Sequence, residues 1–195
     1  MSDKREKRLL HRIRKKQDKK AADELIHKYY REIYAYVFRQ VGGKEPTMDI
    51  TQDIFLGMLQ SIWSYDEAKS GFRTWLYHIA VHKVADYFRR NANVTAQAVK
   101  DFRGQENAEA YDTELLQQVA EQPGGGTEQQ AVNEAMAGQI LARLGHEDLI
   151  LEELFRLKFY SECTFAEIAE ILELPEATVK TKYYTAIKKL RKEFE

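Results

Sequence analysis

Apolar residues recur every three to four positions along most of the chain, the spacing of one helix face. Leu25, Tyr29, Ile33, Tyr36 and Val37 carry this pattern through a helical stretch from Leu9 to Val41. Gly42, Gly43 and Pro46 end it, because glycine and proline break helices. A second stripe, Ile50, Ile54, Phe55, Met58 and Ile62, predicts a helix from Asp49 to Trp63, followed by a polar loop from Ser64 to Gly71. A third, Phe72, Leu76, Ile79, Ala80 and Tyr87, predicts a helix from Phe72 to about Arg90. The composition then shifts to Asn, Gln, Glu and Ala, with Pro123 followed by Gly124, Gly125 and Gly126. Three glycines in a row hold regular structure at high entropic cost, so 91–133 is expected to be a flexible linker. Periodicity resumes with helices expected near 134–144, 147–160, 164–172 and 176–194. The fold class is all-α: two helical domains, 1–90 and 134–195, joined by the 91–133 linker.

Composition narrows the function classes. The chain has 195 residues, 44% hydrophobic and 31% charged, as in a globular protein. No apolar run approaches the roughly 18 residues of a membrane span, and the basic N-terminus lacks the apolar core of a secretory signal. A cytoplasmic location is expected. A single cysteine, Cys163, excludes an intramolecular disulfide framework and is expected to be a buried, inert thiol. The net charge of −1 conceals strong polarity. Residues 1–20 carry +7, residues 91–153 carry −9 and residues 178–195 carry +4. Basic ends around an acidic middle suit an extended polyanion touched at both ends.

Three surfaces carry candidate chemistry. Thr164 to Leu172 is a short amphipathic helix, with Glu167 placed three residues after Thr164 for a capping box. Glu173 and Leu174 make a tight turn, and Pro175 opens the next helix, giving a helix-turn-helix layout. On that next helix Val179, Tyr183, Ala186, Ile187 and Leu190 face inward. Ala177, Thr181, Tyr184, Thr185 and Lys188 face outward, flanked by Thr178, Lys180, Lys182 and Lys189. Hydroxyls there reach base edges and lysines reach phosphates. On the helix from Phe72, the residues Trp75, His78, His82 and Arg89 line the outward side next to the polar loop, an aromatic and cationic surface suited to unstacked bases. On the helix from Asp49, the residues Asp49, Gln52, Asp53, Leu56 and Gln60 share the polar side; a leucine in an acidic, amide-rich face suits protein docking. His78, His82 and Asp86 also share a face, at a spacing that could ligate a metal, but they lack the glutamate of a metalloprotease motif. No phosphate loop or nucleophile triad is present, so neither a metal, a cofactor nor an enzymatic activity is expected.

These motifs, in this order, resemble the bacterial RNA polymerase sigma factors of the extracytoplasmic-function (ECF) group. Asp49 to Phe55 resembles the polymerase-docking motif of region 2. Gly71 to Ala80, continuing to Asp86–Arg90, resembles its promoter-melting and −10 segment. Phe165 to Leu172 with Pro175 to Lys182 resembles region 4. The resemblance implies that Asp49, Gln52, Asp53 and Leu56 meet core RNA polymerase. It implies that Ser70, Phe72, Arg73, Trp75, His78, His82, Arg89 and Arg90 meet the −10 strand. It implies that Ala177, Thr178, Lys180, Thr181, Lys182, Tyr184, Thr185, Lys188 and Lys189 meet the −35 duplex. An anti-sigma partner is also implied. The chain departs from the family at Glu173, where glycine is usual, at Lys182, where arginine is common, and at His82, where asparagine is frequent. Two rival readings are a self-sufficient helix-turn-helix regulator and a metal-dependent enzyme built on His78, His82 and Asp86.

Overall fold

The computed structural model describes residues 4–98 and 148–194, with side chains placed for 4–91 and 148–192. The described residues are helical throughout, and none of the helices is long and apolar enough to cross a membrane. The helix expected at 134–144 and the linker beyond residue 98 lie outside the described residues.

The stretch from Leu9 to Val41 is two helices, α1 (Lys4–Lys16) and α2 (Lys19–Val41). Gln17 breaks them apart at φ 47°, and Asp18 caps α2 by accepting from the Ala21 amide. Arg12 pairs with Asp18 at 2.7 Å across the break. Helix α3 (Lys44–Ser61) starts five residues before Asp49. Pro46 lies in its first turn, where a missing amide costs nothing, so this proline opens a helix that the sequence reading had it separate. Helix α4 (Phe72–Ala98) runs past Arg90 into the stretch assigned to the linker, since 91–98 contains neither proline nor glycine to stop it. The C-terminal helices are α5 (Leu149–Phe159), α6 (Phe165–Ile171) and α7 (Glu176–Phe194).

Helices α1 to α4 pack around Leu10, Leu25, Ile33, Ile54, Met58, Phe72 and Leu76, all essentially sealed from solvent. Burial of side chains of this size contributes about 1.5–3 kcal/mol each before entropy is charged. Leu154, Phe155, Leu157, Ile168, Ile171 and Val179 form the C-terminal part of the same contiguous core. The two parts therefore meet rather than stand apart: α6 packs on α4, and polar contacts reinforce the seam. Tyr36 donates to Glu153 at 2.5 Å. Arg73 donates to Glu32 at 2.7 Å within the first domain and to the Ser161 carbonyl at 2.5 Å across the seam. Arg39 lies over the Tyr160 ring, 4.9 Å from its centroid.

Candidate nucleic-acid interface

The helix-turn-helix forms for the reasons its sequence suggests. Thr164 accepts from the Glu167 amide at 3.2 Å while Glu167 accepts from the Thr164 amide at 2.7 Å, a reciprocal capping box. Helix α6 ends in a Schellman arrangement: the Leu174 amide reaches the Ala169 carbonyl at 2.9 Å and the Glu173 amide reaches Glu170 at 3.4 Å. The residue at its left-handed position is Glu173, φ 54°, where glycine would sit without strain. The Pro175 carbonyl then accepts from the Thr178 and Val179 amides to start α7.

On α7 the faces divide as the periodicity predicts. Val179 and Ala186 are buried, and Tyr183 packs on Phe155 and Phe165. Ala177, Lys180, Thr181, Tyr184, Thr185, Lys188 and Lys189 are exposed, while Thr178 and Lys182 are half-buried. Lys180 pairs with Glu176 at 2.7 Å, and Thr181 donates to the Ala177 carbonyl at 2.8 Å. Lys182 turns back to Asp148, the N-cap of α5, and its ammonium holds the Asp148 carboxyl below the usual carboxylate range, helped by the Ile150 amide. A lysine that ties α5 to α7 in this way is already occupied within the domain.

On α3, Asp49, Gln52, Asp53, Leu56 and Gln60 are all exposed on one side, Leu56 to 56%. Gly57, one turn after Asp53, faces Ile79 and Lys83 of α4 and lets the two helices approach.

The α4 face is less uniform than its pattern suggests. Phe72, placed among the strand-facing residues, has a ring only 1% exposed, wedged between Tyr29 and Tyr65. That burial removes its side chain from the set. Trp75 is half-buried against Tyr65 and Phe72 rather than fully outward. Ser70 is half-buried, with its carbonyl accepting from the Tyr65 hydroxyl at 3.1 Å. Arg73 is engaged with Glu32 and the Ser161 carbonyl, and its Nη1 lies 3.7 Å from the Cys163 sulfur. His78 pairs with Glu173 of the helix-turn-helix turn at 2.9 Å, and His82 is exposed beside it. Arg89 and Arg90 are exposed, Arg89 pairing with Asp86 at 3.0 Å. Beside this face, two exposed aromatics were not assigned from sequence: Trp63, 56% exposed at the start of the polar loop, and Phe88. Trp63 breaks an otherwise polar stretch, and that was the available signal. Cys163 is buried as expected, and burial pushes its thiol up to about 11, so it is inert at neutral pH.

The comparisons with known proteins cover both parts of the fold. Residues 25–94 match the family model for sigma-70 region 2, and residues 151–190 match that for sigma-70 region 4. The chain is an ECF-group sigma factor. It is 29% identical to the ECF RNA polymerase sigma factor SigW of Bacillus subtilis, over 92% of this chain and 91% of that protein. It is 26% identical to SigX of the same organism, over 88% of this chain and 82% of that protein. Among solved structures, CnrH in complex with the cytosolic domain of CnrY shares the fold, with a TM-score of 0.60, 20% identity and 97% of both chains covered. Sigma factors act in transcription initiation without an enzymatic reaction of their own. The region 2 match sets aside the self-sufficient regulator, which needs only the helix-turn-helix.

Proposed function

We propose that this sigma factor divides its work between three faces. The exposed acid-and-amide side of α3, centred on Leu56, meets core polymerase through Asp49, Gln52 and Asp53. The α4 face and the loop before it meet the separated −10 strand through Trp75, His78, His82, Arg89 and Arg90, with Trp63 added as a stacking ring. The outward side of α7 enters the −35 major groove, with Thr181 and Thr185 toward base edges and Lys180, Lys188 and Lys189 toward phosphates. The domains are drawn at 1–90 and 134–195. The protein works in the cytoplasm, where its polymerase is, and takes an anti-sigma partner, in keeping with a related fold held by the cytosolic domain of another protein.

The observation that supports this reading best is the exposure of Leu56 among the exposed carboxylates and amides of α3. The test is a pull-down with core polymerase followed by run-off transcription. Asp53→Lys and Leu56→Ser are expected to lower core binding and run-off yield with helicity unchanged. Wild-type core affinity in both variants would refute the α3 assignment.

A further inference from the structure

Two histidines and a glutamate from opposite domains converge at the seam. His78 and His82 sit one turn apart on α4, with ring centroids 4.4 Å apart. Glu173 reaches them from the turn between α6 and α7, its carboxylate 2.9 Å from His78 Nε2. One ligand atom from each of the three lies within 4.8 Å of the others. His82 Nδ1 donates to the His78 carbonyl at 2.8 Å, which fixes the tautomer and leaves Nε2 with its lone pair free. That is how metal-bound histidines are oriented. Asp86, the third member of the sequence-level spacing, pairs with Arg89 instead.

Glu173 also stands at the left-handed position of its turn, where glycine would supply no ligand. It holds a left-handed backbone that costs a non-glycine residue about 1–2 kcal/mol. The carboxylate that glycine lacks is what crosses the seam to His78.

We propose that His78, His82 and Glu173 form a site for a divalent first-row transition metal, Zn2+ first, that clamps the helix-turn-helix turn onto α4. Two imidazoles and one carboxylate are a three-ligand set that leaves a fourth position to water, and imidazole selects such metals over Mg2+ and Ca2+. Because α4 alone contributes only two ligands, the ion binds the closed arrangement more tightly than the open one. Closure therefore follows metal concentration by mass action. In the closed form His78 and His82 are occupied and cannot meet a DNA strand. This last consequence rests on the function proposed above, whereas the metal site itself does not.

The test uses the full-length protein, freed of metal and titrated with ZnCl2 against a chromophoric chelator. CoCl2 absorption reads the ligand field, and small-angle scattering reads compactness. The wild type is expected to bind one Zn2+ and to contract on binding. His82→Ala and Glu173→Gly are expected to weaken binding at least about tenfold, and Asp86→Asn to leave it unchanged. Glycine is the unstrained residue for that turn, so Glu173→Gly folds, and circular dichroism verifies it. Absence of Zn2+ binding, or binding weakened by Asp86→Asn and not by Glu173→Gly, would overturn the clamp. Capture of a pre-melted −10 bubble template separates the two readings. Metal-dependent loss of capture in the wild type but not in Glu173→Gly supports both. A wild type that binds and contracts with Zn2+ yet captures the bubble equally well keeps the clamp and refutes the His78–His82 strand face.

Discussion

At the scale of single residues, Asp148 shows how one side chain carries two local duties. It caps α5 by accepting from the Ile150 amide at 2.9 Å, and it anchors Lys182 of α7. Asp148→Ala is expected to cost about 0.5–2 kcal/mol of unfolding free energy, the usual worth of such a cap, read by urea denaturation. The pH dependence has a definite sign. Because the Lys182 ammonium and the cap amides lower the folded-state pKa of Asp148, its contribution is present above the ordinary aspartate value, about 3.9, and is lost as pH falls through the lowered value. The Asp148→Ala variant should therefore converge on wild-type stability in acid. Equal acid sensitivity in both proteins would refute the assignment. Individual residues were also where sequence reading was weakest. Thr164, Glu167 and Cys163 behave as their local patterns say, because a capping box and a small thiol on an apolar face are set within one turn. Phe72 and Arg73 do not. Their partners Tyr29, Glu32 and the Ser161 carbonyl all lie 41 or more residues away, beyond the reach of periodicity.

At the scale of the element, α6, its turn and α7 behave as a unit whose geometry is cheap everywhere except at Glu173. Glu173→Gly removes left-handed strain but adds freedom to the unfolded chain. Unfolding stability is expected to stay within about 1 kcal/mol of wild type, measured by thermal denaturation. A loss of several kcal/mol would mean that the carboxylate is needed to fold the turn. The α7 face makes a separate prediction. Thr181→Ala and Thr185→Ala are expected to change −35 base preference by about 1–3 kcal/mol per lost contact. Lys188→Ala is expected to weaken binding to every sequence and flatten the salt dependence. Band-shift titrations across salt and base-substituted duplexes decide the point, and a base-selective lysine variant would reverse the assignment. The faces of α3 and α7 were legible because helical periodicity separates buried from exposed positions without tertiary knowledge. The ends of α3 and α4 were not. Pro46 reads equally well as a stop or a first-turn residue, and the start of the linker composition does not itself end a helix.

At the scale of the whole molecule, the seam between the two domains was invisible to sequence because it is made of scattered contacts with no period. Its energetics turn on Glu153. Burial raises the Glu153 carboxyl above the ordinary range, opposed by the Tyr36 hydroxyl and the Arg156 guanidinium and reinforced by the charge of Glu152. A carboxyl with a raised pKa in the closed form favours closure while protonated, below about pH 4. That contribution is lost as pH rises through the raised value. Once ionised, Glu153 is a partly desolvated charge at the seam, and its hydrogen-bond donor from the other domain is Tyr36. Two substitutions then act in opposite directions. Glu153→Gln keeps an acceptor for the Tyr36 hydroxyl and removes the charge, so it should close the molecule more tightly wherever the wild-type carboxyl is ionised and abolish this part of the pH dependence. Tyr36→Phe leaves the half-buried carboxylate without that donor, a loss of about 1 kcal/mol for such a hydrogen bond, and should open the seam. Small-angle scattering from metal-free protein between pH 5 and 8 measures both. If the two variants shifted compactness in the same direction, the Tyr36–Glu153 bond would not be what balances the seam. With the expected opposite shifts, the Tyr36–Glu153 bond sets how firmly the seam closes, and a partner, a promoter strand or an ion at the seam shifts that balance only by as much as it binds one arrangement better than the other.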